Sequence, residues 1–362
     1  MANVKHVFPG GNTCYGFYSF YDYITDSSVK RKYILKGGPG VGKSVFMNKV
    51  GEEFFQRGYN VEYHWCSSDP NSVDGLVIGD NEVCFLDGTS PHVVEAKYPG
   101  AVDEIIDLGR FWERPLIAEN KDNIIKLTEL ISLNFARAYL RLKESNLAYT
   151  ELKSYYEEVV DIEAVKRNIV ALADDFISSS SEGKTRHLFP GAITPAGLVT
   201  RIGSVIGKNT TLFAVTGSPG TGIKDLFTHV AQLININSIS AQIYHNPFNP
   251  EEIDIIYIPA KQVALVDYAN FFFTYSSEIS SSKYKRQLDF DKFLAEDKLS
   301  LNAKNINAAQ NRIEEGLKDA VTFISKAKNL HDELEGYYIP AMNFDAVELY
   351  RQEIVAEVAS LL

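Results

Sequence analysis

With 362 residues, 45% of them hydrophobic and 23% charged, the chain is long enough to bury two cores. A formal net charge of −11 and an isoelectric point near 5.2 argue against a general nucleic-acid binder or a binder of anionic membrane, so a phosphorylated ligand needs a dedicated pocket. Cys14, Cys66 and Cys84 show no ligand spacing, no apolar run reaches membrane-span length, and "MANVKHVFPGG" lacks a hydrophobic signal core, which together predict a cytoplasmic protein.

Along the chain, the first motif is "HVFPGG" at 6–11, and "KYILKG" then reads as a short buried strand. It runs into "GGPGVGKS", after which "VFMNKVGEEFFQRG" has helical spacing and stops at Gly58. Strand, glycine loop and helix in that order satisfy G-x-x-x-x-G-K-[ST], with Gly37, Gly38, Pro39, Gly40, Val41, Gly42, Lys43 and Ser44 as the phosphate cradle. Glycines let successive N–H groups turn toward phosphate oxygens, and the helix N-terminus adds a positive end. Lys43 is expected to reach the β and γ phosphates, and the Ser44 hydroxyl to ligate Mg²⁺.

Next, a strand through Cys66 is predicted to give way to a helix capped by Asp69, with Pro70 in its first turn. Asp69 and Asp74 are also candidates to orient a water or a second substrate at the strand edge. His64 and Cys66 share a strand face, but no further His or Cys completes a metal set, so packing is the assignment for both. "EVCFLDG" then places Asp87 at the end of an apolar strand, the arrangement in which an Asp contacts Mg²⁺. Gly88 follows, so the glutamate that many ATPases carry there is absent and the hydrolytic base is unassigned. Arg110 and Arg114 are candidates for a lid or finger, or for surface ion pairs. From about 118 to 180, apolar residues at helical spacing predict a helical hairpin, a packing element or a surface for a homo-oligomer or protein partner.

After a linker-like "SSSSEGKTR" at 178–186, the chain repeats. "HLFPGA" answers "HVFPGG", "TGSPGTGIK" answers "KGGPGVGKS", and "ELEGYYIPAMNFDAV" answers "ELKSYYEEVVDIEAV". The expected units are 1–181 and 182–362, each an α/β P-loop domain with a parallel sheet followed by a helical hairpin, the second hairpin spanning about 288–362. In the second unit Gly217, Pro219, Gly220 and Gly222 keep the loop's shape, but Ile223 and Lys224 stand where Lys43 and Ser44 stand. Asp267 answers Asp87, Asp254 answers Asp74 and Asn249 answers Asp69. Losing the lysine charge and the hydroxyl ligand predicts a catalytically weak or dead copy.

"HVFPGGNTCYGFYSFYDYI", "ILKGGPGVGKS", "CSSDPNSVDGLVIGD" and "LDGTSPHVVE", followed by a weaker second loop, resemble an uncharacterised family of tandem P-loop ATPases from Firmicutes and related bacteria, over the whole chain. The resemblance implies a cytoplasmic ATPase with Gly37 through Ser44 and Asp87 as its site. That family's second loop often keeps a Lys and a Ser or Thr, from which Ile223 and Lys224 depart. The expected ligands are ATP and Mg²⁺, with no nucleic acid and no membrane. No N-K-x-D guanine-reading pattern follows the loop, which leaves ATP against GTP open. Alternatives to ATP hydrolysis are a kinase of a nucleotide or small metabolite, and a nucleotide sensor that does not hydrolyse.

Overall fold

The computed structural model describes residues 2–90, 93–177, 183–279 and 283–362; the expected boundary near 182 lies outside the described residues. The first repeat opens with β1 (Val4–Val7) and a hairpin of β2 (Gly10–Thr13) and β3 (Gly16–Ser19). β4 (Arg31–Lys36) enters the glycine loop and α1 (Lys43–Gln56), followed by β5 (Val61–Trp65), β6 (Val73–Ile78), β7 (Val83–Asp87) and β8 (Asp103–Asp107). A short α2 (Arg114–Ala118), a long α3 (Lys121–Glu157) and α4 (Ile162–Ile177) complete it. α3 runs 37 residues without a Gly or Pro to break it.

The second repeat copies this order: β9 (Thr185–Leu188), the hairpin of β10 (Gly191–Thr194) and β11 (Gly197–Thr200), β12 (Thr211–Thr216), α5 (Ile223–Ile236), β13 (Ala241–His245), β14 (Ile253–Ile258) and β15 (Val263–Asp267). It closes with α6 (Ser276–Ile279), β16 (Lys283–Asp289), α7 (Glu296–Leu301), α8 (Ala303–Tyr338) and α9 (Phe344–Leu361). Each repeat forms a six-stranded sheet, in the order β1-β5-β6-β7-β4-β8 and, matching it, β9-β13-β14-β15-β12-β16.

The sheets are mixed, which corrects the expectation of parallel ones: β6 runs antiparallel to β5 and β7, and β14 to β13 and β15. The cause is local, and it also corrects the helix expected after Asp69. The Asp69 side chain accepts from the Asn71 N–H at 3.1 Å, its carbonyl accepts from Ser72 N–H at 2.8 Å, and Cys66 N–H reaches the Ser72 carbonyl at 2.9 Å. This closes a tight turn, and a turn that short returns the chain antiparallel. The Val- and Leu-rich stretch beyond it, buried at every position, then forms β6 instead of a helix. Asn249 builds the matching turn in the second repeat, accepting from Glu251 N–H at 3.1 Å.

The helical hairpins also depart from expectation, because each is shared between the repeats. α3 and α8 lie antiparallel along one another, joined by Arg141 with Asp319 at 3.7 Å and by Arg312 with Glu151 at 2.6 Å. Gly316 lets them approach: a Cβ there would stand 2.2 Å from Ser145 Oγ. α4 leaves its own repeat and seats Val165, Ile169, Leu172 and Phe176 against Phe213, Leu226, Phe227 and Val230 of the second. Reciprocally, α9 packs Val347, Ile354, Val355 and Val358 with Phe46, Met47 and Val50 of the first. Backbone bonds fasten the exchange on both sides: Glu113 N–H to the Ala341 carbonyl, Asn343 N–H to Phe111, Asp161 N–H to Phe293, and Ala295 N–H to Val159, at 2.8 to 3.0 Å.

The repeated FPG motifs belong to the same junction. Phe8 and Phe189 exchange backbone bonds of 3.2 and 3.0 Å as an antiparallel bridge. Nearby, the Arg186 guanidinium binds Glu62 and the carbonyls of Tyr23 and Ile24 across the repeats.

The exchanged faces carry large apolar side chains, each worth about 1.5–3 kcal/mol when buried. Residues 1–177 made alone are therefore expected to lack a cooperative thermal transition, and co-expression with 183–362 to restore it in a one-to-one complex. A first half that melts cooperatively by itself contradicts this packing.

Candidate functional site

The intact loop stands at the C-terminal end of β4, whose Tyr33, Ile34 and Leu35 are wholly buried and fix its position. Gly40 and Gly42 hold φ of +66° and +88°, a left-handed backbone that side chains disfavour, and α1 starts immediately afterwards. Because β7 is the direct neighbour of β4, with Leu35 opposite Asp87, the predicted metal ligand arrives beside the loop. Lys43 Nζ lies 3.7 Å from Asp87 Oδ2 and donates to the carbonyls of Gly38 at 2.9 Å and Gly37 at 3.3 Å. Ser44 Oγ accepts from Val73 N–H at 2.9 Å, and Asp87 Oδ1 accepts from the Thr89 N–H and hydroxyl at 2.9 and 2.5 Å. An ammonium and a carboxylate thus meet beside a glycine turn on a helix N-terminus, with the hydroxyl of the next residue held by Val73 N–H, a set of groups that fits a phosphate with a hard divalent cation.

The other sequence candidates separate. Asp74 is buried and accepts from the Tyr21 hydroxyl at 2.8 Å, the place of a structural partner. Asp69, in its turn, pairs with Lys328 of α8 at 3.2 Å. Arg110 lies over the rings of Phe111 and Tyr350, 4.8 and 4.5 Å from their centroids, tying the chain after β8 to α9; Arg114 is exposed in the first turn of α2. His64 is buried between Glu62 at 2.8 Å and Arg186 at 3.3 Å, and burial pushes the Cys66 thiol up. A cleft of about 710 Å³ between the repeats, lined by Asp22, Asp26, Glu62, Lys184 and Arg186 among others, is not lined by the loop residues.

The sequence reading missed the roof of the loop, which the other repeat supplies. Glu335 of α8 accepts from Gly40 N–H at 3.2 Å. Added methyl groups at Gly38 and Gly40 would stand 3.0 Å from Tyr338 and 2.9 Å from Ile339. α1 itself is clamped to α9 by Lys49 with Glu348 and by Arg351 with Glu53, both at 2.9 Å. Over the second loop, the roof is the end of α3: a Cβ at Gly220 would meet the Lys153 carbonyl at 2.5 Å.

The second loop has filled itself. Ser218 donates from its N–H and hydroxyl to the two carboxylate oxygens of Asp291, at 2.7 and 3.3 Å, whereas Gly109 occupies the matching place in the first repeat. Lys224 is exposed. Beneath the loop, Asn246 and Asn270 both donate to Asp254, Asn270 also donates to Asp267 at 2.7 Å, and the Tyr275 hydroxyl donates to Asp254 at 2.6 Å. Burial pushes the Asp267 carboxyl up to about 7 and holds Asp254 well above the carboxylate range, the latter helped by Asp267 beside it.

Comparison of the chain with protein-family models, with curated proteins and with solved structures finds no match. Among the described residues no helix is long and apolar enough to cross a membrane.

The raised carboxyl of Asp267 has a definite sign in stability. The unfolded chain releases its proton near 3.8 and the folded one near 7, so stability falls as pH rises between these values and the full penalty is present above 7. Asp267→Asn is expected to remove that slope and to raise unfolding free energy at pH 8 by about 1–4 kcal/mol, one pKa unit being worth about 1.4. Denaturant melts of both proteins from pH 4 to 8 test this; parallel profiles contradict it.

Proposed function

We propose that the chain binds a nucleoside triphosphate, with ATP the expected one, through residues 37–44 and hydrolyses it in a Mg²⁺-dependent reaction at the first repeat, the second repeat being a structural or regulatory copy. The observation that carries this reading is the meeting of Lys43 and Asp87 at a left-handed glycine turn that Ser44 follows, set against the second loop, where Ile223, Lys224 and Asp291 stand instead of Lys43, Ser44 and Gly109.

In this reading the loop N–H groups and the α1 N-terminus hold the phosphates. Lys43, already facing the loop, releases its hold on the Gly37 and Gly38 carbonyls and places its charge on the transferring phosphoryl group. Ser44 and Asp87 would hold Mg²⁺, which neutralises charge developing on the phosphate oxygens. Asp87 is kept in position by Thr89, and Ser44 by the Val73 N–H at the start of β6. The second loop has no matching cation inside it, and the Asp291 carboxylate on its rim repels a phosphate.

Lys43→Ala is expected to lower phosphate release from Mg·ATP by about 10²–10³-fold, the usual cost of one donor aimed at developing charge. Its thermal midpoint without nucleotide should stay near that of the parent. Turnover that survives Lys43→Ala unchanged places the chemistry elsewhere.

A further inference from the structure

We propose that the second repeat supplies the water-orienting group of the first repeat's site, and that this group is Glu335 of α8. The inference rests on the reading of residues 37–44 as a triphosphate site. Within the first repeat, Gly88 follows Asp87, and Asp87 itself is engaged by Thr89 and Lys43, so no carboxylate of that strand is left to receive a proton from water. The end of α8 brings one from the other repeat: Glu335 Oε1 accepts from Gly40 N–H at 3.2 Å, an N–H of the glycine loop itself. His331, one turn earlier, places Nδ1 3.7 Å from the same oxygen, a path for a proton to the surface.

The two halves differ at the roof position. Glu335 and Lys153 occupy the same place in "ELEGYY" and "ELKSYY", each at the helix end that roofs the opposite repeat's loop. Over the loop that keeps Lys43 and Ser44 there is a carboxylate. Over the loop that has lost both, the same position is a lysine turned away to Glu252 at 2.7 Å, and the carboxylate side chain near that loop is Glu157 one turn on, whose Cγ would lie 3.2 Å from a Cβ at Gly220. The two loops keep the same glycine turns, so the contrast lies in the carboxylate that bonds directly to a loop N–H of the complete one, Glu335 on Gly40.

A bound triphosphate takes the Gly40 N–H for its own oxygens and frees Oε1 for a water. The water oxygen bonds to the γ phosphorus as the bond from that phosphorus to the bridging oxygen breaks. The diphosphate leaves with the electron pair, and the water proton passes to Glu335 and out to solvent. Atoms and charge balance without any further reactant.

The test is Glu335→Gln, which keeps size and hydrogen bonding but cannot take the proton, with Glu335→Asp as a second variant that keeps the carboxylate. For each, kcat, ATP affinity and the identity of the nucleotide recovered after incubation with Mg·ATP are measured. The expected result for Glu335→Gln is a kcat lower by about 10²–10⁴-fold, the usual worth of general base catalysis, with ATP affinity within about threefold of the parent and ATP, not ADP, recovered. Glu335→Asp is expected to fall between the two. A kcat within about threefold of the parent for Glu335→Gln overturns the assignment, as does tighter ATP binding with turnover kept, which makes Glu335 a plug on the loop. A parent chain that binds ATP but never releases phosphate overturns the hydrolysis reading, and this assignment with it.

Discussion

The apolar face of α9 closes over the helix that carries the intact glycine loop, and that face belongs to the other repeat; α4 does the same in return. Most of the architecture depends on this exchange. Each repeat has a sheet and a helix of its own, but the layer that completes the core arrives from its partner, so the halves are held as one body by buried apolar surface. The antiparallel α3 and α8 follow from it, since each helix must span from its own sheet to the opposite loop. Their close contact at Gly316 and Ser145 fixes how far each end projects.

The difference between the two loops grows from a nearly symmetric frame. Both loops keep glycines at positive φ, both are followed by a helix, and both have an Asp at the end of the neighbouring strand. What differs is charge. The first loop faces Lys43 inward and meets Glu335 from above; the second has Ile223 in place of that lysine, Asp291 on its rim, and the Lys153 carbonyl with the Glu157 side chain above. The two acidic residues also have different company: Asp87 has a cation and a hydroxyl beside it, while Asp267 shares the Asn270 amide with Asp254 and burial pushes its carboxyl up to about 7.

Local signals in the sequence were enough for the parts made of contiguous residues. The strand, loop and helix around Lys43 and the strand ending in Asp87 are legible because apolar runs and glycine spacing are properties of neighbours. The helix expected after Asp69 was not found, since an Asp that caps a turn and an Asp that caps a helix look alike until the next strand pairs; the antiparallel β6 follows from the same turn. The spacing of Val165, Ile169, Leu172 and Phe176 announces a buried face but not what buries it, so the exchange between repeats was invisible. Glu335 and Asp291 lie far in sequence from the loops they touch. Their signal existed only in the alignment of one half with the other, where Glu335 answers Lys153 and Asp291 answers Gly109.

Two loops of one shape differ in the charges around them, and the proposed function gives a triphosphate to the first alone. Calorimetric titration of the intact chain with ATP and Mg²⁺ tests it most directly by counting sites. One nucleotide per chain is expected. Two nucleotides per chain, or one that persists unchanged when Lys43 is replaced by Ala, contradict it.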